Sequence, residues 1–180
     1  SQSSMTQKVR DTHTDTVVVL KSIALSQASS WKQLELFRRE ARTLSQLDHG
    51  HIPRLLNYVE SLETQPASCH LFLEYLPGIP LSERVYKQGP LSVLHAVQIA
   101  AQVLETLSYL HSYHPPVIHR DIKPSNLLWE SEKGVYLIDF GGTQRSLAEG
   151  DTIVGTYGYM APEQFAGKAE SKSDLYALGT

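Results

Sequence analysis

Two short apolar runs, Asn126 to Trp129 and Val135 to Ile138, are joined by the charged, glycine-ended connection Glu130-Ser131-Glu132-Lys133-Gly134. The pattern predicts a β-hairpin. A hairpin returns the chain on itself, so Asn126 at one end and Asp139-Phe140-Gly141 at the other must face the same place. Just upstream lies a polar stretch, His119-Arg120-Asp121-Ile122-Lys123-Pro124-Ser125. A carboxylate, an ammonium and an amide are thereby gathered on one small framework.

The flanking sequence divides in two. Thr16 to Ile23 is a β-branched run that suits a strand, with Lys21 near its end. A helix follows: Ser30 and Gln33 form a capping-box pair, and Trp31, Leu34, Phe37, Ala41, Leu44 and Leu47 make an apolar stripe beside which Glu40 lies. Arg54 to Glu60 and His70 to Leu76 read as two further strands, and Pro77-Gly78-Ile79-Pro80 then breaks the pattern. We expect a domain boundary there, giving 1–76 and 77–180. After Gly89-Pro90, the residues Leu94, Val97, Ala101, Leu104, Leu107 and Leu110 share one helical face, expected to be the core side of a long helix that Pro115-Pro116 ends. Pro162 opens a short helix, and another is under way at Leu178-Gly179-Thr180.

Composition excludes several classes. With 16 Lys+Arg against 19 Asp+Glu, the net charge of -3 lacks the basic excess of a nucleic-acid binder. Cys69, the single cysteine, has no internal disulfide partner, which fits a reducing compartment, and the expected location is cytoplasmic. The longest apolar-leaning stretch, Leu91 to Leu110, is interrupted by His95, Gln98, Gln102 and Glu105, so no membrane span is expected. Neither the histidines His49, His51, His70, His95, His111 and His114 nor Cys69 repeats a metal-ligand spacing. Cys69 reads as a small residue at a strand entry.

His119-Arg120-Asp121-Ile122-Lys123-Pro124-Ser125-Asn126 resembles the catalytic loop of protein kinases, and Asp139-Phe140-Gly141 resembles their metal-binding triplet. In the family's order stand also Val18-Val19-Leu20-Lys21, Glu40, Ala161-Pro162-Glu163 and the helix start Ser173-Asp174-Leu175-Tyr176. The stretch Gly155 to Gln164 looks most like the eukaryotic-like serine/threonine kinases of bacteria. The fold implied is α+β and two-lobed: a small, mainly β N-lobe with one switch helix, and a mainly α C-lobe cut early in its anchoring helix.

The resemblance implies ATP and Mg2+ as cofactors and a protein with a Ser/Thr hydroxyl as substrate, autophosphorylation included. Asp121 would accept or orient the hydroxyl proton, and Lys123 would stabilise the transferred phosphate. Asn126 and Asp139 would hold the metal, and Lys21, held by Glu40, would reach the nucleotide phosphates. For the adenine, Leu73 would be the gatekeeper, the backbone of Glu74 and Leu76 would bond its edge, and Leu128 would floor the pocket. Leu44, Leu55, His119 and Phe140 match the stacked set of active kinases, while Gly141, Glu163 and Asp174 are structural motif residues. Arg120 would receive a phosphate on the loop 141–161, with Thr152 the candidate acceptor, and Thr156 matches the threonine that touches the catalytic aspartate and lysine.

One departure weighs the other way. The family covers the phosphates with a glycine-rich loop, yet no glycine precedes Gly50, and the last two loop positions fall near Ser4 and Ser1. A nucleotide-binding or scaffolding pseudokinase-like module is therefore the competing expectation. A small-molecule phosphotransferase of the same fold is disfavoured by Lys123 and Ala161-Pro162-Glu163.

Overall fold

A computed structural model of the chain describes residues 4–25, 30–63, 66–144 and 154–180. Thr152 lies outside the described residues, as do the side chains of Ser30 and Trp31, on which the capping box and the first stripe position fall. The chain divides into two units, Ser1–Leu76 and Pro77–Thr180.

In the first unit, strands β1 (Met5–Arg10), β2 (Val17–Leu25), β3 (Leu55–Ser61) and β4 (Ala67–Glu74) form an antiparallel sheet in the order β1-β2-β4-β3. Helix α1 (Ser30–Leu44) follows β2 and buries Leu34, Phe37, Ala41 and Leu44, the stripe expected from the sequence. Strand β1 has no counterpart among the elements expected from the sequence, because nearly every residue in it is exposed and no apolar alternation marks it. Only its pairing with β2, Thr6 opposite Lys21, makes it a strand.

A polar tie supplements the apolar contact of α1. Arg38 donates to both oxygens of Glu60 on β3, Nε at 2.7 Å and Nη2 at 2.6 Å, and Tyr58 Oη donates to the same carboxylate at 2.5 Å. The Arg38 guanidinium is the main cause that holds the Glu60 carboxyl down to about 2. Beside this tie Cys69 is fully buried in the interior of β4 rather than at a strand entry, and burial pushes its thiol pKa up.

The second unit opens with β5 (Ile79–Pro80) and α2 (Leu81–Gln88), then α3 (Val93–His111). The hairpin follows as β6 (Leu127–Glu130) and β7 (Gly134–Leu137), and β5-β6-β7 form a small sheet. Gln102 of α3 clamps the hairpin turn, donating to Lys133 O at 3.2 Å and accepting from Val135 N–H at 3.1 Å. Gly134 is required there: at φ +88° a Cβ would sit 1.9 Å from Gln102 Oε1. Helix α4 (Ser171–Gly179) completes the described part.

The expected core face of α3 needs correction. Ile99, Val103, Thr106, Leu107 and Leu110 are buried, whereas Leu94 and Val97 are 66% and 61% exposed and Leu104 is 45% exposed. The helix carries apolar residues around most of its circumference, so two stripes fit a 3.6-residue period equally well. Packing against β7 and α4 selects one of them. Among the described residues no helix is long and apolar enough to cross a membrane.

Candidate active site

In the first unit, β2 directs Lys21 toward α1. Its Nζ donates to both oxygens of Glu40, at 2.9 and 2.7 Å, across nineteen residues of sequence. Glu40 is 2% exposed, so the pair is held in a low-dielectric setting where a charge without its counterpart is costly. Leu73 lies buried on β4 opposite Val19 and Leu55, Glu74 ends that strand with its N–H bonded to Arg54 O, and Leu76 is half-buried.

In the second unit the foundation is Asp174, the N-terminal-turn acid of α4, which is fully buried. Its Oδ1 accepts from Arg120 N–H at 2.8 Å, and its Oδ2 accepts from His119 N–H and lies 2.9 Å from His111 Nε2. These bonds hold Arg120 at φ +69°, a left-handed conformation costly for a residue with a Cβ. The chain turns sharply there and presents Asp121.

Three groups converge on the Asp121 side chain or its backbone. Thr156 Oγ1 donates to Oδ1 at 2.7 Å, and Lys123 Nζ lies 2.7 Å from Oδ2 and 2.5 Å from Thr156 Oγ1. Asn126 Nδ2 donates to both Asp121 O and Oδ2, at 2.8 and 2.9 Å. With its amide nitrogen turned inward, Asn126 presents its other end, the Oδ1 oxygen, elsewhere. Ile138 N–H donates to Asn126 O at 3.0 Å, so the hairpin ends are tied together as expected. Beside Ile138, Asp139 stands exposed at φ +66°. Leu128 is half-buried on β6.

Phe140 is fully buried and meets the His119 ring edge-on at 5.0 Å. Burial lowers the His119 pKa against the pull of Asp174, Asp139 and Asp121, which keeps the imidazole neutral at neutral pH. Gly141 lies in the turn Phe140–Gly142. Arg120 is buried and donates from Nε to Gly142 O at 2.5 Å and from Nη1 to Gln144 Oε1 at 2.9 Å. Glu163 accepts from Ser173 Oγ at 2.5 Å.

Sequence reasoning passed over three polar residues that build this region: His111, Gln144 and Gln164. Each is the type that is ordinarily solvated, and only tertiary contact with Asp174, Arg120 or the backbone shows its use.

Oxygen donors from Asn126 and Asp139 suit a hard cation such as magnesium. Among the described residues no cluster of three or more His, Cys, Asp or Glu could hold a metal ion. Two protein ligands completed by phosphate oxygens and water is the way magnesium is usually held with a nucleotide, so the donor set fits.

Known proteins are similar to this chain over most of its length. Serine/threonine-protein kinase F of Synechocystis sp. is 38% identical over 160 residues, covering 81% of this chain and 32% of the relative. Serine/threonine-protein kinase PrkC of Bacillus subtilis is 31% identical over 170 residues, 92% of this chain and 25% of the relative. Serine/threonine-protein kinase D of Synechocystis sp. is 36% identical over 179 residues, 91% of this chain and 34% of the relative. The chain thus spans about a quarter to a third of the length of these curated relatives. The family model described as the protein kinase domain matches residues 2–180. With that match over nearly its whole length, the chain belongs to the protein kinase domain family.

Proposed function

We propose that the chain transfers the γ-phosphate of ATP, with Mg2+, to Ser or Thr hydroxyls of protein substrates. The observation that carries the reading is the convergence of Lys123, Thr156 and Asn126 on Asp121. When bound, Mg·ATP supplies the transferable phosphoryl group and the charge that offsets it.

The residues divide the work. Asp121, with one oxygen toward Thr156 and the other toward Lys123 and Asn126, orients the acceptor hydroxyl and takes its proton. Lys123 offsets negative charge that develops on the phosphoryl oxygens. Asn126 and Asp139 hold the metal, and Lys21, kept in place by Glu40, holds the α- and β-phosphates. Leu73 is the gatekeeper and Leu128 the floor for the adenine, with the backbone of Glu74 and Leu76 as its polar partners. Arg120 is the receptor for a phosphate on Thr152, a regulatory role that phosphopeptide mapping of 141–161 tests directly. Modification nowhere in that loop would remove it.

The pseudokinase-like alternative draws on one observation, the lack of any glycine before Gly50. Thermal unfolding with and without Mg·ATP, with Asp139→Ala as control, followed by transfer to a Ser/Thr peptide, separates the two. A transition raised by Mg·ATP in the native chain and much less in the variant, with peptide phosphorylated, supports catalysis. A shift without transfer supports a nucleotide-binding module, and neither would sink catalysis and nucleotide binding alike, leaving the scaffolding form of the alternative.

A further inference from the structure

Gln164 has no place in the chemistry just described, yet it is among the most completely bonded side chains of the second unit. It is 2% exposed, within the turn Pro162–Ala166. Its Oε1 accepts from Ala161 N–H at 2.9 Å, and its Nε2 donates to Arg120 O at 3.0 Å and to Val154 O at 3.2 Å. Arg120 O belongs to the peptide that leads into Asp121, and Val154 O to the peptide that leads into Gly155-Thr156. One amide therefore joins the two segments whose side chains meet as Thr156 Oγ1 and Asp121 Oδ1.

The electrostatics explain why an amide is needed. Two carbonyl oxygens turned toward one point repel each other, and two N–H donors on a single neutral group satisfy both without burying a charge. The segments are also close: at Gly155, φ +139°, a Cβ would lie 3.0 Å from Arg120 O and 2.7 Å from Met160 Cγ. Asparagine is one methylene shorter, and glutamate keeps the acceptor for Ala161 but loses both donors.

We propose that Gln164 is a positioning residue for phosphoryl transfer: by clasping Arg120 O and Val154 O on one amide, it fixes Thr156 against Asp121 and so seats the acceptor hydroxyl. The inference rests on the kinase reading above.

Gln164→Met and Gln164→Glu in the full chain test it with two readouts. Hydrogen exchange needs no activity: amides of 154–161 exchange about tenfold faster in both variants, the effect of losing one net hydrogen bond, while those of α3 are unchanged. Steady-state kinetics supply the split: kcat for a Ser/Thr peptide falls about ten- to a hundredfold, whereas KM for Mg·ATP stays within about twofold. Unchanged exchange, or unchanged kcat in a variant that melts cooperatively, overturns the proposal. So does failure of both variants to melt cooperatively, which would make Gln164 a general fold element. A native chain that transfers no phosphate would refute the kinase reading, and the exchange result would still decide whether Gln164 holds the segment.

Discussion

The carboxylate of Asp174 holds the backbone of Arg120: the Arg120 N–H donates to Oδ1 at 2.8 Å, 54 residues back along the chain. A buried acid thereby stabilises a left-handed residue next to the proposed base, and support for Asp121 comes from another element. Asp174→Asn places an NH2 group where a carboxylate accepted N–H donors. We expect a loss of about 2–3 kcal/mol in unfolding free energy. Urea denaturation gives the number, and a midpoint equal to the native one would refute the dependence of the loop on Asp174.

Lys21 and Glu40 should respond unequally to substitution. Lys21→Met leaves a buried carboxylate without its lysine, at a cost of about 3–5 kcal/mol. Glu40→Gln should cost less, because the Lys21 ammonium rides a flexible stem that can reach toward water. Paired denaturation curves check the order, and both variants should lose phosphoryl transfer.

Acid should loosen the attachment of α1 to β3. The Glu60 carboxyl sits at about 2 in the folded chain against an ordinary 4.5, so it favours the charged form. Its contribution to stability is complete above pH 4.5 and is lost as pH falls toward 2. Glu60→Gln should flatten the stability profile in that window. Melting temperatures from about pH 5 to about pH 2 decide it, and parallel profiles for the two proteins would contradict it.

His119 predicts a second, higher window. Its folded pKa is lowered by burial, so folding favours the neutral ring, and the associated stability is present above the ordinary value of 6.5 and lost as pH falls below it. Replacing the ring by phenylalanine should remove that slope while retaining the edge-on contact with Phe140. Denaturation midpoints between about pH 7 and about pH 5 measure it.

Thr156 contributes a hydroxyl that bridges Asp121 and Lys123. Thr156→Ser should retain most activity, whereas Thr156→Val, of equal shape, should lower kcat by about tenfold or more. Equal rates for the two variants would remove Thr156 from the proposed mechanism.

Much of this was legible in the sequence because the chemistry is local. Asn126 and Asp139 are brought together by a hairpin whose turn residues announce it, and Lys123 stands two positions from Asp121. The pairing of Lys21 with Glu40 could be read only through resemblance, since strand and helix periodicity do not say which lysine meets which acid. What escaped was of two kinds. The face of α3 was ambiguous because two apolar stripes compete, and neighbours outside the helix choose between them. Strand β1 and residues such as Gln164 and His111 owe their roles to distant partners, and composition marks them as ordinary surface.

Asp139 adopts φ +66°, a left-handed conformation that glycine takes without cost and aspartate only at some cost. Glycine at that position would relieve about 1 kcal/mol of backbone strain and would remove the carboxylate proposed to hold the metal. Aspartate in this place thus sets backbone ease against the proposed chemistry: the substitution that relaxes the turn is the one that removes the metal's carboxylate.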